Sequence, residues 1–158
     1  MKPTTRLLVG IAAVAGSVLL AAPAYAATAA TGQVDGNITV GGSSCSWTNA
    51  TTSDVPPNTL TIDHTTVSPS CSGSISATLT NDPTVTFDDT AGTASAPEVD
   101  VNGTELGITC SYTVTNVSFA RQGTARTYTG GPFTANLSSG GALCPSSETV
   151  NSASLTFH

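Results

Sequence analysis

After the first 26 residues of this chain, apolar and polar residues alternate with the period of a β-strand. The longest stretch of this kind runs from Glu105 to Leu137. Small polar residues separate its first inward positions, which are Leu106, Ile108, Cys110, Tyr112 and Val114. The pattern predicts a central, half-buried strand that carries a cysteine on its inward face.

Shorter alternating runs and turn-forming residues surround that strand. Asn102-Gly103 is a typical hairpin sequence and predicts the turn into it. At Asn116 the alternation changes phase, which predicts a bulge or a tight bend. About nine to eleven short strands with close turns, and no helical period, predict an all-β domain with the Greek-key, immunoglobulin-like sandwich fold.

The N-terminus has the three parts of a secretory signal peptide. Lys2 and Arg6 precede an apolar run over residues 7–20, and Ala24-Tyr25-Ala26 provides a small-residue cleavage site. The apolar run is short for a spanning helix, which disfavours a retained anchor. We therefore expect a cleaved leader, residues 1–26, followed by one exported domain, residues 27–158.

The exported part is acidic. It keeps no lysine, and only Arg121 and Arg126 remain to balance all ten Asp and Glu residues of the chain. Nucleic acids and anionic membranes attract basic surfaces, so both are excluded as expected partners. The expected partner is instead an extracellular ligand or a component of the cell envelope, and the expected location is the medium or the cell wall.

Four cysteines follow the leader, at positions 45, 71, 110 and 144. An even number of thiols in an exported chain predicts two disulfides, for which three pairings exist. The sequential pairs Cys45–Cys71 and Cys110–Cys144 close the shortest loops and are favoured. Zinc is disfavoured because closely spaced cysteine pairs are missing.

Three residues are candidates for ligand contact. Trp47 shares a strand face with Cys45, so we expect it to pack against a disulfide, with ligand stacking as the alternative. Arg121 and Arg126 flank a predicted hairpin tip and hold the fixed positive charge of the exported part. Solvation of that tip is the simpler interpretation, and binding of a carboxylate or sulfate is the alternative.

No residue pattern predicts a catalytic centre, a cofactor or a metal. His64 follows Asp63, but neighbouring strand residues point to opposite faces, and no nucleophile motif is present. Asp82, Asp88 and Asp89 lack the spacing of a calcium loop. The expected function is therefore non-enzymatic, a binding module or a structural component. A hydrolase with an unrecognised site is an alternative that a substrate screen would test.

Two resemblances to known proteins add to this interpretation. Residues 107–112, GITCSY, and 143–145, LCP, resemble pieces of small secreted all-β proteins of actinobacteria. Residues 45–47, CSW, and 153–157, ASLTF, resemble pieces of the neocarzinostatin-like apoproteins. The first resemblance implies export and fold, and the second implies a carrier of a chromophore-type small ligand. The cysteine spacing here is longer than in the second family, so its pocket does not transfer directly.

Overall fold

The computed structural model describes residues 31–158, so the predicted leader and its cleavage site lie outside the described residues. Residues 31–158 form eleven strands and one turn of 3₁₀ helix, His64–Thr66. The strands are β1 Gly32–Val40, β2 Ser43–Thr52, β3 Leu60–Thr61, β4 Ser70–Cys71, β5 Ile75–Leu79, β6 Thr84–Asp88, β7 Thr93–Glu105, β8 Ile108–Arg121, β9 Thr127–Gly130, β10 Phe133–Ser139 and β11 Ser147–Phe157.

The strands pair antiparallel in the order β3-β6-β7-β8-β10-β11-β1-β2-β4. β5 also pairs with β7, and β9 pairs with both β8 and β11. Neighbours that are not consecutive in the chain, such as β11 and β1, are typical of Greek-key connections. The prediction of an all-β sandwich is confirmed, and β8 is a central strand as its alternation predicted.

The sheet folds over, so that its two halves face each other across the core. Phe87 in β6 lies 5.2 Å from Phe157 in β11 and 5.3 Å from Tyr128 in β9, measured between ring centroids. Three strands separate β6 from β11 in the sheet order, and the rings of Phe87 and Phe157 meet because the halves stack. Aromatic pairs at such tilted geometries add about 0.5–1.5 kcal/mol beyond their buried area.

One end of this sandwich is closed by hydrogen bonds between the two margins of the sheet. The backbone N–H of Ser53 donates to the carbonyl of Thr61 (3.0 Å), and that of Asp63 donates to Thr51 (2.9 Å). These bonds join the end of β2 to β3. We call this region, with the rings of Phe87, Tyr128 and Phe157, the closed end.

The opposite end is not closed in this way. There, β4 pairs with β2 and β5 pairs with β7, and a turn around Gly73 connects β4 to β5. Among residues 31–158, no strand pairing joins β5 to β2 or β4. The two halves of the sheet therefore separate here, and we call this region the open end.

The phase change at Asn116 is a conformational feature of β8 rather than an inserted residue. Asn116 has a φ of 55°, and the register between β7 and β8 runs past it without a shift. It follows the exposed Thr115, and the buried set then passes from Val114 to Val117. The structure therefore shows no bulge between β7 and β8, and the phase change coincides with the positive φ of Asn116.

The predicted turn at Asn102-Gly103 is wrong. Both residues lie within β7, paired with Ser111 and Cys110 of β8. The turn falls at Leu106-Gly107, whose φ values are 50° and 82°. Positive φ at both central residues is the geometry that a two-residue hairpin with matching strand twist requires. Pairing along the whole of β7 and β8 outweighed the local preference of Asn102-Gly103 for a turn.

Both predicted disulfides are present, Cys45–Cys71 and Cys110–Cys144, and no cysteine of residues 31–158 is free. Cys45 pairs directly with Cys71 between β2 and β4. Cys110 of β8 holds the loop between β10 and β11 through Cys144. Within the described part of the chain, no helix is long and apolar enough to cross a membrane.

Candidate ligand-binding cavity

A cavity of about 510 Å³ lies between the two halves of the sheet and reaches the surface at the open end. Small-molecule sites in proteins have volumes of about 300–1,000 Å³. Most of its lining consists of inward-facing aliphatic side chains. Representatives from five strands are Ile38, Leu79, Val101, Val114 and Val150.

The cavity exists because the sheet margins separate and because the inward side chains at the open end are of modest size. The inward residues of β5 are Ile75, Ala77 and Leu79, and all three stay half-exposed. At the closed end, the large rings of Tyr128 and Phe157 fill the equivalent space and are almost fully buried. The open end thus keeps an apolar surface that the fold itself does not cover.

The floor of the cavity includes Trp47, the only tryptophan of the chain. Its register partner is Gly36, which in turn pairs with Leu155. A Cβ atom on Gly36 would overlap with the indole ring of Trp47, so only glycine allows the ring to lie against β1. Trp47 and Cys45 share a face, as the alternation predicted, and both line the cavity.

Three large apolar side chains at the mouth are exposed to solvent. Leu106 is 83% exposed in the β7–β8 turn, Leu143 is 75% exposed in the β10–β11 loop, and Ile108 is 38% exposed at the start of β8. All three line the cavity. Exposed apolar patches next to a cleft mark ligand or partner sites more often than scattered exposed residues do.

Two carboxylates line the cavity, and neither has a hydrogen bond or ion pair within residues 31–158. Glu148 lies on the inward face of β11, where it pairs with the buried Ala135. Glu105 ends β7 at the mouth. Burial raises the pKa of the Tyr112 hydroxyl, and the negative charge of Glu148 raises it further. Glu148 and Tyr112 are therefore close enough to interact inside the cavity.

The two candidate arginines lie at the closed end, far along β8 from the cavity mouth. Nη1 of Arg121 is 3.3 Å from Oδ1 of Asp89, and Nη1 of Arg126 is 3.2 Å from the same oxygen. Their hairpin tip is present as predicted, between β8 and β9. A shared carboxylate already partly neutralises both charges, which weakens the case for an anion site there.

The histidines also pair with aspartates outside the cavity. Nδ1 of His64 lies 2.6 Å from Oδ1 of Asp82, and Nε2 of His158 lies 3.2 Å from Oδ1 of Asp35. Asp82 is 18 positions from His64 and was not foreseen as its partner, because no sequence signal links the two. No Ser, Thr or Cys side chain among residues 31–158 hydrogen-bonds to His64, so the pair does not form a triad.

Asp63, His64 and Asp82 present oxygen and nitrogen atoms within 4.8 Å of one another. The carboxylate oxygens of both aspartates already accept hydrogen bonds from neighbouring groups, however. Oδ1 of Asp63 accepts from the backbone N–H of Thr65 (2.9 Å) and from its hydroxyl (2.6 Å), which caps the 3₁₀ turn. Oδ1 of Asp82 accepts from the backbone N–H of His64 (2.9 Å). The cluster is explained by capping of the turn.

Comparison with known proteins finds no match, neither to a protein-family model, nor to a curated protein, nor to a solved structure.

Proposed function

We propose that this protein is an exported, non-enzymatic binding protein that holds a small apolar molecule in the cavity at its open end. The observation that carries the proposal is the cavity itself, about 510 Å³ of mostly aliphatic lining between the halves of the sheet. A rim of exposed Leu106, Ile108 and Leu143 supports it, since these side chains would lose solvent contact when a ligand enters.

Export supports this function. The two disulfides fit an oxidising environment, and the leader-like N-terminus fits secretion. A secreted carrier must keep a binding site open without collapse of its walls. Both disulfides lie at the open end, where Cys45 and Cys110 are part of the lining. The two disulfides hold the strands in place at the open end, as the packing of the aromatic rings does at the closed end.

The test uses a series of neutral alcohols and the fluorescence of Trp47. Hexanol, octanol and decanol are titrated into the oxidised protein, and the emission of the single tryptophan reports entry to the cavity floor. Each buried methylene contributes about 0.8 kcal/mol, so affinity should rise about fourfold per CH₂. We expect this rise to stop once the chain length exceeds the cavity.

Two phenylalanine substitutions, one inside the cavity and one outside it, test whether the alcohols bind in the cavity. Ala77→Phe places a ring into the half-exposed inward face of β5, whereas Thr86→Phe places the same ring on the exposed face of β6, outside the lining. Only the first variant should lose alcohol binding, with melting curves confirming that both fold. The proposal is wrong if no alcohol binds, or if affinity keeps rising with length and Ala77→Phe binds like the parent.

A further inference from the structure

The charges of this protein are distributed unequally between its surface and its cavity. All four side chains of residues 31–158 that can be cationic are Arg121, Arg126, His64 and His158, and each pairs with an aspartate. None of the four lines the cavity. The cavity thus contains no internal partner for a negative charge.

The carboxylates that line the cavity show the opposite arrangement. Glu148 and Glu105 have no partner among the described residues, whereas Asp35, Asp82 and Asp89 all have one. Glu148 faces inward beside Ala135 and near Tyr112, where apolar surface surrounds it on one side. A carboxylate that lines the cavity and has no partner in the protein is free to pair with a cationic group of a ligand.

The positions of the lining residues along the strands show which part of the cavity is charged and which part is apolar. The inward residues of β11 run from Glu148 through Val150, Ala153 and Leu155 to Phe157 at the closed end. Glu148 is therefore the outermost of them. Glu105 is likewise the outermost residue of β7, next to the exposed Leu106. Apolar lining lies deep in the cavity, and negative charge lies toward its mouth.

Resting on the function proposed above, we propose that the ligand is an apolar amine. Its hydrocarbon part occupies the aliphatic interior down to Trp47, and its protonated nitrogen lies near the carboxylate of Glu148, with Glu105 adding negative charge at the mouth. A fatty acid or another apolar anion is disfavoured, because its head group would meet two carboxylates and no cation.

Three probes of equal chain length test this choice. Decylamine, decanol and decanoic acid are titrated at neutral pH and low ionic strength, with Trp47 emission and calorimetry as readouts. We expect the amine to bind roughly two- to fivefold more tightly than the alcohol, given the usual strength of partly exposed ion pairs. The acid should bind more weakly than the alcohol, and added salt should reduce the amine's advantage.

Substitutions then locate the effect. Glu148→Gln should remove most of the amine's advantage over decanol, and the Glu105→Gln, Glu148→Gln double variant should remove the rest. Glu98→Gln is the control, since it removes the same charge from an exposed β7 residue outside the lining and should leave the advantage intact. Decanol affinity should stay the same in all three variants.

The outcomes separate the two proposals. If decanol binds but decylamine binds no more tightly, or if Glu98→Gln reduces the amine's advantage as much as Glu148→Gln does, the choice of an amine is wrong and the apolar carrier stands. If decanoic acid binds most tightly, the choice of an amine is again wrong. If none of the three probes binds, both proposals are wrong.

Discussion

The closed and open ends of this sandwich use the same long strands, yet they are stabilised in different ways. At the closed end, Phe87, Tyr128 and Phe157 pack ring against ring, and backbone hydrogen bonds join the sheet margins. At the open end, the inward side chains of β5 are aliphatic and half-exposed, and both disulfides are found there. Large side chains packed into the open end would fill the cavity and remove the candidate site. Disulfides stabilise this end without filling the cavity.

Removal of the disulfides is the strongest test of this difference. Each bridge closes a loop, over 26 and 34 positions, and its loss should cost about 3–4 kcal/mol by the chain-entropy estimate. Replacing all four cysteines by alanine should therefore prevent folding of a domain with a typical stability of about 5–15 kcal/mol.

Removal of Cys110–Cys144 alone should leave a folded protein that binds decanol more weakly, because the loop carrying Leu143 is released. Urea unfolding and Trp47 emission measure the two effects. Unchanged binding in that variant would show that the bridge does not maintain the cavity.

A matched pair of leucines compares packing at the two ends directly. Leu60 in β3 is 1% exposed, whereas Leu79 in β5 is only partly buried and lines the cavity. Leu60→Ala should cost about 2–5 kcal/mol, as expected for a fully buried leucine. Leu79→Ala should cost about 1 kcal/mol, because part of its surface is already in contact with water. Urea unfolding of both variants measures the difference. Equal costs would mean that the open end is as well packed as the closed end.

A smaller effect should appear in acid. The backbone N–H of Asn49 donates to Asp35, whose carboxylate also contacts His158, and these contacts hold the pKa of Asp35 below its ordinary value of 3.8. The backbone N–H and ring of His64 lower the pKa of Asp82 in the same way. A lowered folded-state pKa gives stability above the unfolded value that is lost as pH falls through the folded one.

The melting temperature should therefore fall modestly as pH drops below about 4. Asp35→Asn should reduce this dependence, whereas Glu98→Gln, at a carboxylate without a partner, should not. The measurement is a set of melting curves at several pH values for the parent and both variants. A parent and an Asp35→Asn variant with identical acid profiles would contradict the assignment.

The sequence predicted the class of fold and its covalent links well. Alternation identified Cys110, Tyr112 and Val114 as inward residues of β8, and loop length selected the correct pairs, Cys45–Cys71 and Cys110–Cys144. Leu106, which was also predicted to face inward, lies in the β7–β8 turn and is 83% exposed. The sequence-based prediction misplaced the β7–β8 turn. Asn102-Gly103 has a strong local preference for a turn, but continuous pairing between two long strands can override it. Local preference decides a turn only where tertiary pairing leaves the choice open.

The candidate site was harder to predict than the fold. Val101 and Val117 look alike in an alternating pattern and both line the cavity, but Val101 is only partly buried whereas Val117 is 4% exposed. Their difference arises from whether the opposite half of the sheet approaches, which no local pattern encodes. The pairing of Asp89 with both arginines depends equally on tertiary structure. Of the three proposed contact residues, Trp47 lines the cavity, whereas Arg121 ends β8 and Arg126 lies in the hairpin tip that follows it.

The positive φ at Asn116 divides β8 into two segments whose buried residues alternate in different phases. Tyr112 and Val114 before it, and Val117 and Phe119 after it, are all buried and all line the cavity. The opposing residue in β7 is Pro97, which is also exposed. A single backbone conformation at Asn116 therefore keeps the inward side chains of both segments on the same side of the sheet, facing the cavity.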